Sequence, residues 1–110
     1  MKVLKVEWID SVGGSGWEFL EEYKSEAARC ITYGFLVKEN DDSISIVQTF
    51  SHRTVNSKDQ IDNDITIPKC SITSIYEVTS SGLVPVLEQN LQCFSLSERL
   101  SDHEVPEKLT

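Results

Sequence analysis

CITYGFLVKENDDSISIVQTF, residues 30–50, carries the plainest structural signal in the chain. Ile31, Tyr33, Phe35 and Val37 alternate with other residues, and Ile44 and Ile46, followed by Gln48 and Phe50, repeat the period of two. Such alternation, rich in β-branched and aromatic side chains, is the pattern of half-buried strands. Between the two runs lies KENDDS (38–43), where Asn40 and Asp41 tolerate the backbone angles of a turn. The stretch predicts a β-hairpin. Gly34, inside its first strand, predicts a bulge or sharp bend of the kind that a small barrel needs to close.

Toward the N-terminus, VLKVEWID (3–10) places Leu4, Val6 and Trp8 on one side, again the period of a strand. GGSGWEFLEE (13–22) follows, and its glycines suit either a phosphate cradle or a turn. It lacks the G-x-x-x-x-G-K-[ST] form and has no lysine placed to reach a phosphate, so the turn is preferred. Ser15 and Glu18 have the S-x-x-E spacing of a capping box, in which each side chain satisfies an otherwise unpaired amide. Residues 16–28 are therefore expected to form a helix of two or three turns, with Trp17 and Leu20 turned inward. The early glutamates suit the positive end of its dipole.

Beyond the hairpin, SHRTVNSKDQIDND (51–64) shows little periodicity and reads as a long loop. DITIP (64–68) reads as a short strand ended by Pro68, Lys69 and Cys70 as a tight turn, and SITSIYEV (71–78) as a further strand. From Thr79 the character changes. Two of the three prolines fall in this part, and its apolar residues fit no single period. The expected architecture is mainly β: a small antiparallel barrel of SH3-like or Sm-like type over residues 1–79, with one short N-terminal helix. Residues 80–110 are expected to form a partly flexible C-terminal appendage that packs on the barrel or on a partner.

A net charge of −8, from 18 acidic against 10 basic residues, opposes the phosphate contacts of general nucleic-acid binding. No apolar stretch approaches the roughly 20 residues that span a bilayer, and MKVLKVEWID lacks the apolar run of a signal peptide. A cytoplasmic protein without membrane contact is expected. Cys30, Cys70 and Cys93 are odd in number and contain no CxxC pair, which suits neither a disulfide framework nor a zinc site. Signatures of enzymes are missing too: there is no G-x-S-x-G, HExxH or dinucleotide fingerprint. Glu39, Asp41 and Asp42, and separately Asp59, Asp62 and Asp64, lack the alternating oxygens, glycine and distant glutamate of a calcium loop. The reading is of a protein that is not an enzyme, with no cofactor and no metal.

Binding fits the composition better. His52, Arg53 and Lys58 put three anion contacts on the 51–64 loop, Lys69 lies in the later turn, and Trp17, Tyr33 and Tyr76 offer flat faces on which a base can stack. His52, Arg53, Lys58, Lys69, Tyr33 and Tyr76 are the six candidate ligand-binding residues, and the competing reading makes the aromatics core and the cations scattered surface. Exposed edge strands and the apolar appendage both point to a homo-oligomer.

Taken together, VEWIDS, GWEFLEE, TYGFLVKENDDSISIVQT and IPKCSITSIYEV resemble small, mostly uncharacterised proteins encoded by bacteriophages and prophages. The match covers roughly residues 3–78, and its motifs are structural in character. The resemblance implies a phage setting, in which small accessory proteins inhibit or redirect host machinery. The expected function is counter-defence by binding, either sequestering a small nucleotide signal or occluding a host protein. The alternative is a structural or assembly module that docks a partner through residues 80–110.

Overall fold

A computed structural model of the chain describes residues 1–52, 58–87, 94–96 and 99–100. The hairpin forms where alternation placed it. Strand β2 (Ala28–Glu39) and strand β3 (Ser43–Ser51) run antiparallel. Asn40 closes the turn between them: its Oδ1 accepts from the amides of Asp42 and Ser43, both at 2.9 Å, and from the Ser43 hydroxyl at 3.1 Å. An asparagine side chain that binds the backbone ahead of it replaces ladder bonds at the tip.

Strand β1 (Val3–Asp10) pairs with β2 from Val3↔Phe35 to Asp10↔Ala28, whereas β3 takes β2 from Phe35 onward. Phe35 thus faces partners on both edges, and the twelve-residue β2 is shared between two ladders. A bulge follows between Leu36 and Lys38. Gly34 sits just before this change, where an added Cβ would meet Ile46 Cγ2 and lie 2.7 Å from the Val47 carbonyl oxygen. The glycine is required by close approach of the two strands.

Strand β4 (Gln60–Pro68) pairs with β3, a 3-10 turn follows at Lys69–Ser71, strand β5 (Ile72–Thr79) lies on β1, and strand β6 (Gly82–Leu87) lies on β5. The result is one antiparallel sheet in the order β4-β3-β2-β1-β5-β6. Its mainly β character is as expected. The sheet is not closed, however: among the described residues β4 and β6 are its two edges. Gly82, at φ 125°, turns the chain back along β5, so β6 takes the edge of β5 that a five-stranded barrel would close on β4.

One face gathers most of the core, while Val47 of β3, also fully buried, faces the other side beside Phe35. Leu4 and Val6 of β1, Ile44 and Ile46 of β3, Ile67 of β4, and Ile72 and Ile75 of β5 are all fully buried. Leu87 of β6 joins them, as do Phe94 and Leu96 from the segment beyond. Trp8 packs against this cluster and donates Nε1–H to Thr32 Oγ1 at 2.9 Å, so β1 is inward along Leu4, Val6 and Trp8 as its alternation requires. Lys2 and Glu77 are buried on the same face as a pair at 3.0 Å.

Three expectations need correction. The helix over 16–28 is reduced to a 3-10 turn at Leu20–Glu22, preceded by an extended Phe19 with no side-chain cap. Trp17 is not an inward anchor but fully exposed. An isolated helix of this length is marginal unless packing supports it, and Trp17, Phe19, Leu20 and Tyr23 of this segment stay exposed. In the hairpin, the two runs of one period take opposite faces, Ile31 and Tyr33 on the outer one at 59% and 50% exposure and Ile44 and Ile46 in the core. The 51–64 loop is also shorter than read. Ser51 pairs with Gln60 and Thr49 with Asp62, so only 52–59 connects the strands. Both faces of this part of the ladder are wet, with Ile61 half exposed and Asp62, Asn63 and Asp64 exposed, so no apolar alternation marks it. Among the described residues no helix is long and apolar enough to cross a membrane.

Candidate functional site

The six residues singled out from the sequence fall in three separate places. His52 and Lys58 lie at the far end of the β3–β4 arm, where His52 Nδ1 is 2.9 Å from Asp59 Oδ1 and Lys58 is exposed. Arg53 lies outside the described residues. Lys69 is buried: Nζ lies 2.7 Å from Glu39 Oε2, donates to the Phe94 carbonyl at 2.6 Å, and sits 4.8 Å from the centre of the Phe94 ring. Its charge holds the C-terminal segment on the sheet, and Glu39 completes the clamp by accepting the Leu96 amide at 2.9 Å.

Tyr33 and Tyr76 share one row of the sheet, with strand β1 between them. Strand order places Tyr33 of β2 opposite Lys5 of β1, and Lys5 opposite Tyr76 of β5, a single row across three strands. Residues directly opposite on one face touch, and Lys5 Nζ lies 5.2 Å from the Tyr76 ring centre. Glu7, two residues along the same face, stands 3.6 Å from Lys5 Nζ and accepts the Ser74 hydroxyl. Sequence reasoning missed Lys5. Alternation puts Lys5 and Glu7 outward, but only the strand order β2-β1-β5 shows which aromatics flank them.

The most exposed apolar group is elsewhere. Between β1 and β2, Trp17 is 104% exposed, Leu20 88%, Phe19 75% and Tyr23 58%. Glu18, Glu21 and Glu22 alternate with them, and Trp17, Glu18, Phe19 and Glu22 line a shallow concavity. Three glycines precede the segment, and Gly16, at φ 100°, adopts a conformation that side chains disfavour. A second shallow depression on the β3–β4 arm is lined by Thr49, Ser51, Gln60, Ile61 and Asp62.

This chemistry favours contact. Among the described residues no group of three or more His, Cys, Asp or Glu side chains is placed to hold a metal ion. Cys30 is half-buried and Cys70 exposed. Among the described residues no buried side-chain polar atom lacks a hydrogen-bond partner. Large aromatic side chains left in water, by contrast, gain about 1.5–3 kcal/mol each when a partner covers them. Tryptophan and tyrosine lead among residues that dominate interfaces. No protein-family model, curated protein or solved structure matches the chain.

Proposed function

We propose that the chain is a non-enzymatic binding module that works by protein contact, presenting the Trp17–Tyr23 segment to a partner. The observation that carries this reading is the complete exposure of Trp17 among Phe19, Leu20 and Tyr23. The glutamates between them set the partner's chemistry: an apolar groove rimmed by lysine or arginine. A basic rim would be attracted by a chain of net charge −8, which steers encounter and rejects acidic surfaces.

The likeness to phage and prophage proteins gives this contact its setting, the cytoplasm of an infected bacterium, and its use, occlusion of a host protein in counter-defence. We favour occlusion over nucleotide sequestration because the cations and aromatics expected to make a nucleotide pocket are dispersed. His52 and Lys58 are on the arm, Lys69 is inside, and the tyrosines are on the outer face. The module itself is of SH3-like or Sm-like type in our reading. Support comes from the β1–β5 pairing, the β2-β3-β4 meander and the 3-10 link before β5.

The test is capture from lysates of infected and uninfected bacteria on immobilised chain, run beside the Trp17→Ala/Phe19→Ala variant. Proteins retained by the wild type, lost on the variant and released by salt support the reading. Identical retention on both would contradict it.

A further inference from the structure

We propose that the outer face of β2, β1 and β5 is a self-association surface on which a second copy of this chain packs about a two-fold axis. Three rows cross this face: Phe35 and Val3; Tyr33, Lys5 and Tyr76; Ile31, Glu7 and Ser74. Ile31 and Tyr33 stand uncovered on it at 59% and 50% exposure, beside half-buried Val3, Phe35 and Tyr76.

Charge selects the occupant. The chain is strongly acidic, and its other exposed features carry acid: Glu18, Glu21 and Glu22 in the β1–β2 segment, Asp41 and Asp42 in the hairpin turn, Asp62 and Asp64 on β4. Two copies meeting there would set like charges against each other. The outer face differs, because Lys5 and Glu7 neutralise one another at 3.6 Å and Arg29, one row beyond Ile31, adds a positive charge where the other features add acid. A two-fold axis between the Lys5 and Glu7 rows places Lys5 of one copy against Glu7 of the second, and the converse, so the pattern is complementary to itself.

The sheet edges suit self-pairing less well. β4 presents Asp62 and Asp64, and Pro85 interrupts β6 with a residue that has no amide hydrogen. Face-to-face packing of two sheets leaves both edges as they are.

The experiment is sedimentation or light scattering on the full chain over a wide concentration range, with circular dichroism to establish folding. Wild type is expected at twice the 12.4 kDa chain mass. Lys5→Glu and Glu7→Lys should each weaken the dimer at least tenfold, by setting acid against acid or base against base. An equimolar mixture of the two variants should recover it, which no change internal to one chain can produce. Tyr33→Glu should give a folded monomer. A wild type that stays monomeric at millimolar concentration, a mixture no better than its components, or a nucleotide held on this face by a monomer would each overturn the proposal.

Discussion

Glu39, the last residue of β2, and Lys69, in the turn before β5, meet at 2.7 Å and hold the segment that carries Phe94 and Leu96 against the sheet. Lys69 reaches the Phe94 carbonyl and Glu39 takes the Leu96 amide, while both apolar side chains enter the core. Residues that lie beyond the sheet in sequence are thereby part of its packing.

Breaking this clamp from either side is expected to be costly, because a buried charge left alone keeps its desolvation penalty. Lys69→Met or Glu39→Gln should each lower unfolding free energy by about 3 kcal/mol. The double variant should lose clearly less than the sum. Urea denaturation of the four proteins checks both the size and the coupling.

Gly34→Ala is expected to destabilise by about 1–3 kcal/mol, the range for forcing atoms into a filled space. Its Cβ would meet both Ile46 Cγ2 and the Val47 carbonyl oxygen. Adding Ile46→Ala removes only the first contact, so it should not restore stability. Thermal denaturation of the single and double variants distinguishes this from a purely side-chain clash.

The β1–β2 segment is expected to be the first place a protease enters the described residues. Trp17, Phe19, Leu20 and Tyr23 are exposed, and the extended backbone on either side of the 3-10 turn is in no ladder. Chymotrypsin under native conditions should cut within 17–23 and leave the two flanking pieces associated through the β1–β2 ladder. Mass spectrometry of the first fragments, with gel filtration of the nicked protein, reads the outcome.

How much of this was legible in the sequence depended on whether a residue had one wet face or two. Leu4, Val6 and Trp8, and Ile44 and Ile46, alternate because one side meets the core and the other water. Those strands, the Asn40 turn and the tight turn at Lys69 could be read directly. Residues 60–64 and strand β6 could not, since Ile61, Asp62, Leu83 and Val84 are exposed and carry little periodic signal. The Ser15–Glu18 spacing misled for a different reason: a cap is a local preference, and it cannot by itself sustain a helix whose apolar side chains stay exposed. Lys69 looked like a loop cation because its partners, Glu39 and Phe94, are distant in the chain. Lys5 was hidden likewise, its place between two tyrosines being a fact of strand order.

Trp17→Ala is expected to leave unfolding free energy within about 0.5 kcal/mol of wild type, as for a surface side chain without partners, while abolishing partner capture. Leu96→Ala should do the opposite, costing about 2–5 kcal/mol through its buried position with capture retained wherever the protein is folded. Measuring both quantities on both variants separates the binding segment from the scaffold.

The most direct measurement is the emission of Trp17 itself. The chain has two tryptophans, and Trp8→Phe leaves Trp17 as the sole reporter. Its emission should lie at the long wavelengths of a fully solvated indole, and should shift to shorter wavelengths, with loss of quenching by iodide, when a protein captured by the wild type is added. Binding of that protein with no change in Trp17 emission or quenching would contradict the account.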